Sequence, residues 1–107
     1  MITQSQIQEF ARRIAERYQP EQIILFGSQA DGTATPDSDV DLLVIMRHSE
    51  RKNIYKSIEI LNSLRPPFPT DLLVRSPDDI MLALKRGDPI VSTIVNEGTP
   101  LYVRGNS

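Results

Sequence analysis

The chain has 107 residues, enough for one hydrophobic core but too short for an additional substrate-binding lobe, so we expect a single domain over residues 1–107. Twelve Lys and Arg residues against fourteen Asp and Glu residues give a formal net charge of -2, which argues against nucleic acid as a partner and against a polybasic membrane patch. The chain has no cysteine, no signal-like N-terminus and no long apolar run, and this predicts a cytoplasmic protein without disulfide bonds or contact with a membrane.

Residues 3–18 are predicted to form an amphipathic helix. Its apolar residues recur at helical spacing, namely Ile7, Phe10, Ala11, Ile14 and Tyr18. Thr3 or Ser5 can cap the start of this helix, and Pro20 ends the helical region. Strand one is expected at residues 22–26. The turn-rich segment that follows Ser28 should begin with a short helical turn and continue as a loop.

A second strand and a second long helix are predicted next. Residues 40–46 are continuously apolar, which is typical of a central strand that is buried on both faces. A helix is expected over residues 51–64, ending before Pro66. The apolar stripe predicted to face the core consists of Ile54, Ile58, Leu61 and Leu64.

The last third of the chain should supply one strand, two short helices and an edge strand. Strand three is expected at residues 70–74. Ser76 is well placed to cap a helix over residues 77–85, and Asp79 lies three positions after it. A further helix at residues 89–96 is closed by Gly98, and residues 101–103 can add an edge strand.

The most informative stretch joins a Gly-Ser turn to a pair of aspartates. Gly27 and Ser28 end the first apolar run, whereas Asp39 and Asp41 open the second. Since side chains alternate along a strand, Asp39 and Asp41 should point to one face and Val40 to the other. Two carboxylates this close repel unless a cation lies between them, and Mg²⁺ is usually held by one or two carboxylates plus substrate phosphates. The glycine turn allows close backbone approach, and its amides and the Ser28 hydroxyl can donate hydrogen bonds to those phosphates.

Asp71 is a third candidate acid, because it stands at the head of strand three as Asp39 and Asp41 stand at the head of strand two. If the two strands are neighbours, all three carboxylates lie at one end of the sheet beside the Gly-Ser turn. Three carboxylates are enough to bind two divalent ions. A simple turn role after Pro69 is the other interpretation of Asp71, but its apolar continuation favours a functional role.

Two familiar loop motifs do not fit this stretch. The alternating aspartates that begin at Asp37 resemble the start of a calcium-binding loop, but the required glycine and glutamate positions hold Leu42 and His48. A Walker loop that begins at Gly27 would need a lysine where the chain has Thr33, followed by a hydroxyl residue where it has Ala34.

The basic residues and the single histidine are interpreted as structural. His48 lies in a polar segment without an evident partner, so it is predicted to be a solvated loop residue. Arg47 or Lys52 could reach a triphosphate, although the start of a solvated helix is the simpler interpretation of this charged run. Lys85 and Arg86 should lie at a helix C-terminus, where cations favour the helix dipole.

A Gly-Ser turn after Phe26, a ten-residue spacer and Asp39-Val40-Asp41 followed by apolar residues resemble the signature of the DNA polymerase beta-like nucleotidyltransferase superfamily. The short length and the Asp71 strand are similar to the minimal nucleotidyltransferase (MNT) domains, which are antitoxins encoded beside HEPN-domain partners. The resemblance covers nearly the whole chain. It implies an α+β fold, a small mixed β-sheet with helices packed mainly on one face.

This resemblance also implies roles for the candidate residues. Gly27 and Ser28 would contact the triphosphate of ATP or another NTP, while Asp39, Asp41 and Asp71 would be catalytic and would bind two Mg²⁺ ions. The implied activity is the transfer of AMP to a hydroxyl of a HEPN toxin, which neutralises the toxin. Transfer to a small molecule is a weaker possibility, since the aminoglycoside-modifying relatives carry an additional domain.

One departure from the family pattern concerns Asp31, which replaces the arginine that many minimal members carry in this turn. A carboxylate at this position repels phosphate and removes a potential phosphate or acceptor contact. The alternative function is therefore a binding-only antitoxin, which would cover the active site of its HEPN partner without turnover.

Overall fold

A four-stranded mixed sheet forms the centre of the protein in a computed structural model that describes residues 1–105. Its strands are β1 (Gln22–Phe26), β2 (Val40–Ile45), β3 (Thr70–Arg75) and β4 (Thr99–Val103). Their order across the sheet is β3-β2-β1-β4. Strand β2 is parallel to β3, whereas β1 is antiparallel to both β2 and β4. The predicted central position of the continuously apolar second strand is therefore confirmed, and so is the edge position of the last one.

Five helices surround the sheet. They are α1 (Gln4–Tyr18), α2 (Ser28–Asp31), α3 (Asn53–Leu64), α4 (Pro77–Lys85) and α5 (Pro89–Glu97). The two longest helices, α1 and α3, pack against one face through a core that includes Phe10, Ile14 and Ile60. A smaller core on the other face joins Ile80 of α4 and Ile94 of α5 to the sheet. The α+β class with a small mixed sheet is confirmed, but the helices do not pack mainly on one face, because α4 and α5 cover the face opposite to α1 and α3.

Local capping explains why several helices begin where the sequence indicates. Of the two candidate caps of α1, Thr3 is the one used: its Oγ1 accepts the Gln6 N–H at 3.1 Å, and Gln6 Oε1 accepts the Thr3 N–H at 2.8 Å. Ser76 caps α4 in the same reciprocal way with Asp79. Asp88, which the sequence analysis missed, caps α5 by accepting two backbone N–H groups.

The predicted inward face of α3 is confirmed for Leu61 and Leu64, which pack against the core, but it is wrong for Ile54 and Ile58. Ile54 and Ile58 are 56% and 48% exposed, whereas Ser57 and Ile60 are buried. The apolar residues of this helix fit two overlapping stripes, and the one that contains Ser57 wins because this small side chain fits against the sheet. Its hydroxyl donates a hydrogen bond to the Asn53 carbonyl at 3.2 Å, so burial leaves no unpaired polar group.

Two isoleucine substitutions in α3 test which face it buries. Ile60→Ala should lower the free energy of unfolding by about 2–5 kcal/mol, because it leaves a cavity in the core. Ile58→Ala removes a half-exposed side chain and should cost about 0.5 kcal/mol. Urea denaturation of the two variants measures the difference, and equal losses would mean that the helix is rotated toward the predicted stripe.

No helix within residues 1–105 combines the length and apolar character that crossing a membrane requires.

Candidate active site

The sheet topology brings the predicted site residues to one end of the molecule. Strands β2 and β3 run in parallel with Asp41 opposite Asp71, so both strands start at the same sheet end. Strand β1 runs the other way and finishes with Phe26 opposite Asp41. The turn at Gly27 and Ser28 therefore follows at this same end, and Asp39 directly precedes β2.

The acidic side chains lie on the sheet face that α4 and α5 cover. Val40 and Leu42 of β2 belong to the core under α1 and α3, whereas Leu43 belongs to the core under α4 and α5. Since side chains alternate along a strand, Asp41 shares the face of Leu43. Asp71 shares the face of Leu73 in β3 for the same reason. The β2 and β3 carboxylates are therefore neighbours on one surface.

Gly27 and Asp41 approach each other closely. Gly27 has φ of 73°, which is unfavourable for residues other than glycine. A Cβ atom placed on Gly27 would lie 2.3 Å from Asp41 Oδ2, closer than non-bonded atoms can come. Position 27 therefore requires glycine for two independent reasons, the positive φ and the lack of space for a Cβ atom. The second reason shows that the turn and the Asp41 carboxylate are in close contact.

Asp41 is the electrostatic centre of this end of the sheet. Burial raises the pKa of its carboxyl group, and the negative charges of Asp71 and Asp39 raise it further. Asp41 is half-buried, whereas the other two aspartates are exposed. An ionised Asp41 is thus destabilised by its surroundings, and a cation at this position would relieve the destabilisation.

The donor chemistry fits Mg²⁺, although the carboxylates do not form a complete set of ligands by themselves. Within the described part of the chain, no group of three or more His, Cys, Asp or Glu side chains is arranged to hold a metal ion. Mutual repulsion favours separation of the three carboxylates. Mg²⁺ needs only one or two carboxylates when substrate phosphates and water complete its octahedral shell. The space that the missing Gly27 side chain leaves next to Asp41 Oδ2 is consistent with such a ligand.

Gln29 connects the Gly-Ser turn to the loop that carries Asp39. It is buried, and its Nε2 lies 3.4 Å from the Ser38 carbonyl oxygen, to which it donates a hydrogen bond. The Gln29 carbonyl in turn accepts a long hydrogen bond from the side chain of Gln4. The sequence analysis missed Gln29, because a glutamine in a turn-rich segment is ordinarily solvated and no pattern marks this one.

Asp31 has a structural role in this turn. Its Oδ1 accepts the Thr33 N–H at 3.0 Å and the Thr33 hydroxyl at 2.6 Å, closing the turn around Gly32. These hydrogen bonds lower the Asp31 pKa, with the hydroxyl as the larger cause, so the side chain stays negatively charged. The residue that departs from the family pattern is thus a fixed carboxylate.

His48 and the basic residues after β2 lie away from the acidic end. Arg47 follows the last residues of β2, and Asp41 lies about 20 Å before it along an extended strand. Lys52 caps α3 beyond the same distant end, so the hypothesis that Arg47 or Lys52 reaches a triphosphate at the Gly-Ser turn is wrong.

His48 also differs from its predicted description. Its Nδ1 accepts the Glu50 N–H at 3.1 Å, which leaves Nε2 to donate to Asn53 Oδ1 at 2.8 Å. His48 therefore has partners and organises the entry to α3, whereas the sequence analysis expected a solvated residue without any.

The glycine turn against Asp41 and the aspartates at the starts of two parallel strands are groups of the kind that bind phosphates and divalent cations. The chain is a member of the nucleotidyltransferase domain family, whose model, described as "Nucleotidyltransferase domain", matches residues 7–99. This membership supports nucleotide transfer as the activity.

Two individual proteins are similar to this chain. One is named a "putative protein adenylyltransferase" of Methanocaldococcus jannaschii, with 32% identity over 94% of this chain and 71% of the relative. The other is the 1.40 Å crystal structure of a "putative nucleotidyltransferase" from Sulfolobus solfataricus, with a TM-score of 0.65 and 17% identity. That match covers 96% of this chain and 82% of the solved one, and at this identity it confirms the fold alone.

Proposed function

We propose that this protein transfers AMP from ATP to a hydroxyl group of a partner protein in a magnesium-dependent reaction. The observation that carries the proposal is the pairing of Asp41 with Asp71 on adjacent parallel strands, with Gly27 against the Asp41 carboxylate. Membership of the nucleotidyltransferase family supports the reaction type. The name of the Methanocaldococcus jannaschii relative supports AMP as the group and a protein as the acceptor.

Each site residue has a role in the proposed reaction. Asp39 and Asp41 would hold one Mg²⁺ together with the triphosphate, and Asp71 would share a second ion with Asp41. Bound Mg²⁺ supplies positive charge to the phosphate oxygens and lowers the pKa of the acceptor hydroxyl. The amides of the turn at Gly27 and the Ser28 hydroxyl donate hydrogen bonds to the phosphates.

The bond changes follow from these positions. The acceptor oxygen attacks the α-phosphorus, the bond from this phosphorus to the bridging oxygen of the β-phosphate breaks, and pyrophosphate leaves. The hydroxyl proton passes to the Asp71 carboxylate, which is exposed and can release it to solvent. Asp41 is half-buried and flanked by the other two carboxylates, so it would hold the metal ion, which would supply positive charge beside the reacting phosphate.

The proposed acceptor is a HEPN-domain toxin, which the modification would neutralise in the cytoplasm. The support for this part is the resemblance of the Gly-Ser turn and the aspartates to minimal nucleotidyltransferase antitoxins. The test combines the purified chain with the protein encoded beside it, ATP and Mg²⁺, and measures the intact mass of that partner. A mass increase of one AMP that EDTA prevents supports the transferase.

A binding-only antitoxin is the second candidate, and Asp31 is the observation that favours it. Its fixed negative charge next to the Gly-Ser turn opposes the binding of a triphosphate. In the same experiment this function predicts an unmodified partner in a stable complex with the chain, and that result would overturn the transferase.

A Gln29→Leu substitution tests how the loop before β2 is held. Leucine keeps much of the volume but cannot donate to the Ser38 carbonyl, so Asp39 loses part of its support. We expect AMP transfer to fall about 10-fold, which corresponds to about 1.4 kcal/mol, a loss in the range of one buried hydrogen bond. A Gln8→Leu variant removes an exposed glutamine of α1 that lies away from the turn and should keep full activity. Equal rates in the two variants would show that Gln29 does not position the site.

A further inference from the structure

We propose that a cleft between α2 and α5 binds the nucleobase of the substrate, and that its carboxylates select bases with an exocyclic amino group. This inference rests on the proposed function, since it concerns the nucleotide that the Gly-Ser turn would hold. The base-binding cleft is defined by Phe26, Gly27, Ala30 and Asp31 on one side and by residues of α5 on the other.

The position of the cleft links it to the proposed phosphate site. Gly27 lines the cleft and, at the same time, lies against the Asp41 carboxylate. A nucleotide with its phosphates at the Gly-Ser turn can therefore extend directly into the cleft. The cleft volume is about 480 Å³, which lies within the range of about 300–1,000 Å³ typical of small-molecule sites.

The walls of the cleft are suited to a flat ring. Phe26 and Ala30 contribute apolar surface on the α2 side, and Ile90 and Ile94 contribute it on the α5 side. Ile94 is buried, but Ile90 is 68% exposed at the cleft although it is a large apolar residue. Stacking of a base against this surface would bury Ile90 and remove its contact with water.

The charges around the cleft decide which part of a nucleotide can enter it. Among the residues that the structure describes, Asp31 and Glu97 line the cleft and no Lys or Arg does. Because like charges repel, these carboxylates disfavour a phosphate group inside the cleft. The uncharged base avoids this repulsion, so the triphosphate should remain at the turn and the base should occupy the cleft.

The same carboxylates give the cleft a preference among bases. Carboxylates accept hydrogen bonds from amino groups such as that of cytosine, and adenine presents an equivalent group. Uracil presents a carbonyl oxygen at this position, which a carboxylate repels. The acceptor-only carboxylate of Glu97 therefore favours ATP over UTP, and Glu97 is the residue that we expect to set this preference.

The experiment compares three ligands by isothermal titration calorimetry in the presence of Mg²⁺, namely ATP, UTP and inorganic tripolyphosphate. Thr93→Trp should fill the cleft and weaken the binding of ATP at least 10-fold, while the Kd of tripolyphosphate changes less than twofold. Glu97→Gln should reduce the preference for ATP over UTP at least threefold. Asn96→Trp is the matched control, because Asn96 is an exposed residue of α5 outside the cleft lining. Circular dichroism verifies that each variant is folded.

Each other outcome overturns the inference in a distinguishable way. Unchanged ATP binding in Thr93→Trp, with tripolyphosphate still bound, places the base elsewhere and leaves the proposed function intact. If ATP and tripolyphosphate lose affinity equally, or if Asn96→Trp shows the same loss of ATP affinity, the effect is not local to the cleft. If the unaltered chain binds neither ATP nor tripolyphosphate, the proposed function fails and the base site fails with it.

Discussion

Replacing Gly27 with alanine should lower AMP transfer by about 100-fold or more. The added methyl group would lie 2.3 Å from Asp41 Oδ2, so either the turn or the carboxylate must move. A displacement of about 1 Å at a reacting centre is enough to lower the rate of catalysis by about 10²-fold. The positive φ of 73° adds a conformational penalty of about 1–2 kcal/mol, which should appear as lower stability in urea denaturation.

Gly32→Ala separates these two effects. Gly32 also has a positive φ, of 84°, but a Cβ atom there would meet no atom within 4 Å. Because ψ is 8° at Gly32 but -155° at Gly27, where the backbone is essentially restricted to glycine, this variant should lose less stability and keep most of its transfer activity. Comparable activity losses in the two variants would mean that strain in the turn, and not displacement of Asp41, explains the effect at position 27.

The features that could be predicted from the sequence are those that depend on neighbouring residues. Thr3 and Ser76 begin their helices as expected, because a cap satisfies N–H groups that lie within one turn of the capping residue. The apolar run of β2 likewise indicates burial on both faces without reference to the rest of the chain.

The candidate site is only partly a local feature. The spacing of Asp39 and Asp41 predicts that both point to one face of a strand, although Asp39 lies just before β2 in the structure. Their relation to Asp71 depends on whether β2 and β3 are neighbours and on their register. The structure pairs them in parallel with Asp41 opposite Asp71. The parallel pairing follows from the packing of α3, which connects the two strands. From the sequence alone, the clustering of the carboxylates is expected only if β2 and β3 are neighbours.

The errors in the sequence analysis arise where tertiary contacts decide between local alternatives. Ile58 and Ile60 of α3 fit two overlapping helical stripes, and only contact with the sheet selects Ile60 for burial. Gln29 acquires its role from one long-range hydrogen bond that no periodicity reveals.

Asp41→Asn should reduce AMP transfer by about 100-fold or more and should raise the stability of the metal-free protein. The loss follows because a metal-bound carboxylate contributes several kcal/mol to stabilising charge in the transition state. The gain in stability follows because asparagine removes a half-buried charge that Asp71 and Asp39 repel. A mutation that merely damaged the fold would lower both quantities, so the opposite signs are diagnostic.

Thermal unfolding with and without Mg²⁺ completes this prediction. Binding to the folded state alone stabilises a protein by about 2.7 kcal/mol at a ligand concentration of 100 times Kd, so Mg²⁺ with ATP should raise the Tm of the unaltered chain. The Tm of Asp41→Asn should not respond, whereas Asp37→Asn, which alters an exposed acid of the preceding loop, should respond like the unaltered chain. An undiminished response in Asp41→Asn would place the ion away from β2. The transfer mechanism depends on that location, because Asp41 lies against Gly27 of the Gly-Ser turn and also pairs with the strand of Asp71.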